Sequence, residues 1–370
     1  MSNNRNIAKW KHNFSAGPSF IDNKVLTKLA AELTSFEETG FGLIEHSHRD
    51  NNGPVQKCIT DTCNLLRDIL SIPETHNVLL MHGGGHAMFA GVPMNLAGKL
   101  GSKAYFIGNG YWSKRASSEA DKYCKTYHVE GLTHNFDPNA AYIHITANET
   151  ITGIEYHVDP DLPNGSPPLV ADFTSTLLSR PVDFSKYGVV YASTGKNLGP
   201  SGLVVVICRK DLLTGNRELS ITPGIMSWLI ASNTTPIANI WNTPNVFGIR
   251  AMQLVLEDCK ENGGVEAMQK HAKRRAQCIY KVIDSTNGFY VNTVNPEFRS
   301  HMTIPITIGH QYGKEMEKKF LNDSIESGFY NLQGHPLFGG IRVTLYNQIP
   351  DESVYALVEF MKEFQRLHEQ

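Results

Sequence analysis

Residues 169–208 read LVADFTSTLLSRPVDFSKYGVVYASTGKNLGPSGLVVVIC, and the fold turns on this stretch. Its apolar runs at 169–171, 189–192 and 203–208 are rich in β-branched residues and too short for helices. Each is therefore expected to be a buried strand. Asp172 closes the first run. Lys196 lies just past the second, in Ser193-Thr194-Gly195-Lys196-Asn197, and Gly199-Pro200-Ser201-Gly202 follows. Open α/β sheets bind ligands outside the carboxyl ends of their strands, so this acid and this lysine can converge on one pocket.

An aspartate and a lysine so placed suit pyridoxal phosphate. The amine forms a Schiff base with the aldehyde, and the aspartate keeps the pyridinium nitrogen protonated, which makes the ring an electron sink. The same two residues also fit a solvated loop lysine and a helix or turn cap, and by themselves they do not separate the two readings. A phosphate-binding loop of the nucleotide type is excluded. It requires Gly at 190 and Ser or Thr at 197, where the chain has Val190 and Asn197.

Working outward, strands and helices alternate. NFSAGPSF at 13–20 is a loop broken at Gly17-Pro18, with small residues that allow close approach to a ligand. A helix is expected over 23–39 and an amphipathic one over 55–70. Between them His46 and His48 alternate as strand neighbours on one face would. A metal pair there lacks a third ligand nearby, so no metal is expected. A strand at 77–81 runs into HGGGHAMFAGVPMNLAG, where Gly83, Gly84 and Gly85 free N–H groups for an anion at a helix start; a plain tight turn is the alternative. Three glycines would not hold a zinc helix, and Met88 breaks the dinucleotide fingerprint. A strand at 103–108 ends in Gly108-Asn109-Gly110-Tyr111-Trp112, whose tryptophan can stack on a planar cofactor or simply pack. A strand at 142–146 ends in Ala147-Asn148-Glu149-Thr150. Beyond Gly263-Gly264 come a helix at 265–283, strands at 301–308 and 341–346 with a helix at 314–327 between them, and a last helix after Pro350-Asp351. This alternation indicates an α/β protein whose mostly parallel sheet has helices on both faces. The expected division is a large domain at 16–262, a smaller C-terminal α/β domain at 263–370, and an N-terminal segment 1–15 joining them.

Composition narrows the function classes. The 370 residues are 41% hydrophobic and 19% charged, with a formal net charge of −2, as in an ordinary soluble chain long enough for two domains. Nothing in that charge balance favours nucleic acid or a membrane surface. The start, MSNNRNIAKWKHNF, has no apolar core of a signal peptide, and no apolar run approaches the ~18 residues of a membrane span. The six cysteines form no CxxC pair, which suggests reduced packing thiols in a cytoplasmic protein.

Taken together, the motifs resemble those of the phosphoserine aminotransferase family, within the class V, fold-type I pyridoxal phosphate enzymes. The likeness is carried by NFSAGP, Ser47-His48-Arg49, HGGG with FAGVPMN, GYW, Asn148-Glu149-Thr150, ADFTSTLLSRPVD, GKNLGPSG, Asn242-Thr243-Pro244, Gly334-His335 and GGIR at 339–342. Their order and spacing extend over nearly the whole chain. The resemblance implies a seven-stranded-type central sheet and a cytoplasmic homodimer with shared active sites. It implies ping-pong transfer from L-glutamate to 3-phosphohydroxypyruvate, giving O-phospho-L-serine for serine biosynthesis. By the same resemblance Lys196 is the Schiff-base lysine and proton shuttle, Asp172 the pyridinium partner, Trp112 the stacking ring, and Thr150 a donor near the 3′ oxygen. Gly195 adjoins the cofactor. Gly85 and His86 hold the phosphate by their backbone, with Asn242 and Thr243 reaching in from a second subunit. Arg342 takes the substrate α-carboxylate, and His48, Arg49 and His335 face the substrate side chain.

Three positions depart from the family pattern. Gly195 stands where bacterial members carry Gln, His86 where they often carry Arg, and Pro336 where they carry Arg. The last two remove planar cations suited to a phosphate. An acceptor that is a non-phosphorylated keto acid or glyoxylate is therefore the alternative. A catalytically silent binding module is disfavoured, because Lys196 and Asp172 are both kept.

Overall fold

Seven strands form the central sheet, in the order His76–Gly83, Gly202–Arg209, Val189–Ser193, Leu169–Asp172, Tyr142–Thr146, Ser102–Ile107 and Cys124–Val129. The computed structural model describes residues 11–108, 110–309 and 312–369. Asn109 of the glycine-rich turn and residues 1–10 of the expected N-terminal segment lie outside them. Neighbouring strands are parallel except Gly202–Arg209, which runs against both of its neighbours. The β-branched runs explain this arrangement, since a strand with helices on both faces must be apolar on both sides. Alternate residues serve the two faces. Val205 and Ile207 join Ile143, Ala171 and Val190 in one core layer. Val204 and Val206 join Tyr142, Val170 and Tyr191 in the other.

Helices Pro54–Leu70 and Val246–Glu261 pack together on the first face. Their ends follow ordinary capping rules: Pro54 opens one and Ser71 closes it in the left-handed region, while Asn245 accepts from the Gly248 N–H at the start of the other. Helices Gly85–Leu96 and Tyr111–Ala120 cover the second face. A separate three-stranded sheet, in the order Tyr290–Val291, Thr303–Ile308 and Ile341–Thr344, is antiparallel. It has its own core with helices Gly264–Ser285, Gly313–Glu326 and Asp351–His368, containing Ile304, Val343, Leu357, Met361 and Phe364. Residues His12–Asn13 pair in parallel with Phe329–Tyr330, which places the start of the described chain on this second region. All six cysteines carry free thiols; four are buried, and Cys63 and Cys278 are half-buried. Among the described residues no helix is long and apolar enough to cross a membrane.

Some expectations change. The first helix ends at Glu32 instead of running to Thr39, because the chain turns back at Phe36 and places Glu37 and Glu38 in the left-handed region. His46 and His48 are not strand neighbours: a short 3₁₀ turn, Leu43–Glu45, precedes His46, and the His48 carbonyl accepts from Gln56. Helices Tyr111–Ala120 and Val246–Glu261 and the edge strand Cys124–Val129 went unread in the sequence.

Candidate active site

The carboxyl ends of three adjacent parallel strands deliver Thr146, Asp172 and Ser193 to the same side of the sheet. There they border a cavity of about 440 Å³ that also takes in Gly85 and His86, Trp112, Lys196, the Ala16–Pro18 loop, and His335 and Arg342 from the second region. Asp172 is 7% exposed and accepts a hydrogen bond from the Thr174 N–H at 2.9 Å. Burial raises its pKa above the ordinary carboxylate value, while the Thr174 hydrogen bonds and the nearby Lys196 charge pull the other way. Lys196 sits in a turn held at several points. Ser19 donates from its backbone N–H to the Gly195 carbonyl and from its hydroxyl to the Lys196 carbonyl, both at 2.9 Å. Gly195 has φ +98°, which favours glycine, and a Cβ there would stand 3.2 Å from the Ser201 Cβ, so a larger residue would need the turn to give slightly. The Lys196 Nζ lies 6.0 Å from the centre of the Tyr346 ring.

Trp112 is fixed by a carboxylate that the sequence showed only as part of a motif. Glu149, buried, accepts from the N–H groups of Trp112 (3.1 Å) and Ser113 (2.9 Å) at the start of helix Tyr111–Ala120. A negative charge capping a helix N-terminus is favourable, although burial raises the Glu149 pKa. A Cβ at Gly110 would fall 2.0 Å from the Glu149 Cδ, so only glycine admits this cap. The Trp112 indole N–H donates to the Thr150 hydroxyl at 2.9 Å, which leaves the Thr150 O–H free to donate elsewhere. The first N–H groups of helix Gly85–Leu96 have no intrahelical partner and open beside Thr174 and Ser193.

Gly85, His86, Trp112, Thr150, Asp172, Gly195, Lys196, His335 and Arg342 thus line one cavity. His48, Arg49, Asn242 and Thr243 do not line it. Arg49, Asn242 and Thr243 are exposed; His48 is half-buried, and the Asn242 amide lies 3.2 Å from His82 Nε2. Arg115 was missed, although it follows Trp112 by three residues and so shares its helix face. Its Nη2 lies 3.3 Å from His86 Nε2. A guanidinium can only donate, so His86 Nε2 is the acceptor and the ring carries its proton on Nδ1. Arg342 is half-buried, and burial lowers its pKa; among the described residues it has no carboxylate partner. Burial and the Arg342 charge lower the pKa of His335. The cavity therefore joins one buried acid, one amine, one aromatic plane and an unpaired guanidinium that suits a carboxylate.

The family model for class V aminotransferases matches residues 11–357. The chain belongs to this family. A probable phosphoserine aminotransferase of Caenorhabditis elegans is 38% identical over 375 residues, covering 97% of this chain and 98% of the relative. The solved phosphoserine aminotransferase from Bacillus circulans subsp. alkalophilus superposes with a TM-score of 0.89 at 35% identity, covering 97% of this chain and 99% of that one. A PLP-bound phosphoserine aminotransferase from Trichomonas vaginalis superposes with a TM-score of 0.86 at 32% identity, covering 95% and 100%. At these TM-scores this chain shares the overall fold of both structures.

Proposed function

We propose that this family member is a pyridoxal-phosphate-dependent aminotransferase acting between L-glutamate and 3-phosphohydroxypyruvate, with 2-oxoglutarate and O-phospho-L-serine as products. The observation that carries this reading is the meeting of Lys196 and Asp172, from different strand ends, in a cavity that also holds Trp112 and Arg342. The donor set fits the cofactor. Asp172 offers a buried carboxylate to the ring nitrogen, Trp112 a plane, Thr150 a hydroxyl, and Gly85 and His86 backbone N–H groups to the phosphate. The buried Thr146 Oγ1 and Asn148 Oδ1, without a protein partner, add polar atoms in the same wall. When bound, the group supplies an electron sink for negative charge at the substrate α-carbon.

The residues of the chain do the rest. Lys196 Nζ takes the proton from the α-carbon of the amino donor and, in the second half of the cycle, delivers one to the α-carbon of the acceptor. Asp172 keeps the ring nitrogen protonated, and its buried charge draws on that cationic partner for stability. Arg342 binds the α-carboxylate through two parallel N–H donors. On the side that would face the distal anion stand the His335 and His86 rings, with the Arg115 guanidinium against His86 as the fixed positive charge. His48, Arg49, Asn242 and Thr243 act on the cavity of a second copy in a homodimer. Exposed apolar residues beside them support that arrangement: Phe41 and Ile44 near His48, and Trp241 next to Asn242.

The test is turnover of the purified holoenzyme with glutamate against 3-phosphohydroxypyruvate, plain hydroxypyruvate and glyoxylate. A higher kcat/KM for the phosphorylated acid is expected. The second reading, a non-phosphorylated acceptor, is favoured by His86 and Pro336, which leave fewer planar cations than a phosphate can use. Equal or better turnover of hydroxypyruvate or glyoxylate would replace the first reading with the second.

A further inference from the structure

Asn197, the residue after the lysine, is buried and points away from the cavity. Its side chain joins two parts of the molecule that are distant in sequence. Its Nδ2 donates to the Leu177 carbonyl at 2.9 Å, and its Oδ1 accepts from the backbone N–H of Asn347 at 3.0 Å. Both partners are backbone groups of fixed polarity, so the amide has one orientation. Aspartate would set an acceptor against the Leu177 carbonyl, and an apolar side chain would satisfy neither partner.

Asn347 is itself anchored. Its Nδ2 donates to the Leu178 carbonyl at 2.8 Å, and its own carbonyl accepts from Arg275 at 2.9 Å. It directly follows Tyr346, whose ring faces the Lys196 amine, and lies five residues after Arg342. The other bonds at the lysine turn, from Ser19 and within the turn, hold it to the N-terminal loop and to itself. Asn197 ties the turn to the segment that carries Arg342.

We propose that Asn197 is a positioning residue that sets the separation between the Lys196 amine and the Arg342 guanidinium. An amino acid presents its amino and carboxylate groups on one carbon, so it must meet both at once. A small error in their spacing costs more than the loss of either contact in a looser ligand. This rests on the reading of Arg342 as the α-carboxylate site.

The test compares glutamate with glutarate, the same dicarboxylate without the amine, on the holoenzyme. Asn197→Ala should lower kcat/KM for glutamate at least about tenfold, the scale of a lost buried hydrogen bond. It should leave the inhibition constant of glutarate within about twofold, because glutarate meets Arg342 without needing Lys196. A merely structural role would weaken both ligands alike, or lower only the melting temperature, and either result overturns the proposal. Asn197→Asp is the second variant, for the case in which the alanine protein does not fold. A protonated aspartate can donate to Leu177 while still accepting from Asn347, and burial favours the protonated form. Its glutamate activity relative to wild type should therefore rise as pH falls from about 8 to about 6; a flat ratio counts against Asn197. Glutarate inhibition that Arg342→Ala leaves unchanged would instead remove the carboxylate reading of Arg342.

Discussion

The cavity wall built from the sheet and the exposed turns that carry His48, Arg49, Asn242 and Thr243 follow opposite physics. In the wall and directly behind it, Asp172, Glu149 and Asn197 are buried polar groups whose partners are supplied at fixed distances by the same chain. Such groups are costly unless satisfied, and once satisfied they are rigid. In the turns the side chains are largely exposed, lie outside the chain's own cavity and sit beside exposed aromatic residues. One half of the site is complete on folding. On the proposed reading the other half becomes functional only when a second copy covers it.

The largest effect expected on this contrast comes from its rigid half. Lys196→Ala should lower turnover by more than about a thousandfold, since on the proposed reading the amine acts in every proton transfer. The melting temperature should stay near wild type, because the lysine is only half-buried and its turn is held by backbone contacts. A coupled turnover assay and a thermal melt check both. Next, Asp172→Asn should cut kcat about a hundredfold or more, as loss of one preorganised charge does. The same change should stabilise the cofactor-free protein. A carboxylate whose folded pKa is raised costs stability once pH passes its unfolded value, and the cost grows until pH reaches the folded one. The cofactor-free variant should thus melt above wild type at pH 7, with the difference fading as pH falls through the raised pKa.

Mixing addresses the other half directly. Lys196→Ala and Arg49→Ala, each nearly inactive on the phosphorylated acceptor alone, should regain about a quarter of wild-type activity after co-refolding, because half the dimers are mixed and each holds one intact site. No recovery would place Arg49 outside a shared site. The smallest effect is at the rim. Arg115→Gln should raise KM for the phosphorylated acceptor by about two- to fivefold and leave glutamate almost unchanged, since a charged interaction is lost at an exposed position.

The strands around Asp172 and Lys196 were legible because buried parallel strands need β-branched residues on both faces, and that pattern is local. The edge strand Cys124–Val129 was not, since CKTYHV mixes polar and aromatic residues as an edge permits. The end of the first helix depended on a turn at Phe36–Phe41 that no propensity encodes. Within the site, the lysine, the acid and the glycine turn carry recognisable local chemistry. Glu149 and Asn197 do not: their roles come from partners 36 and 37 residues away in one case, and 20 and 150 in the other. Arg115 was hidden for a different reason, as an arginine on an exposed helix face is ordinary until His86 is found beside it.

The free thiols give the molecule a gauge of its own opening. Burial pushes Cys58, Cys63 and Cys259 up to about 12 and Cys124 up to about 11, and Cys208, near the end of the antiparallel strand, also far up. An alkylating reagent needs the thiolate, so at pH 8 these sulfurs stay silent while the sheet is closed. Cys278 is half-buried on a helix of the second region. A short pulse of reagent followed by peptide mass mapping should therefore mark Cys278 when that region breathes, and Cys208 only when the central sheet itself comes apart.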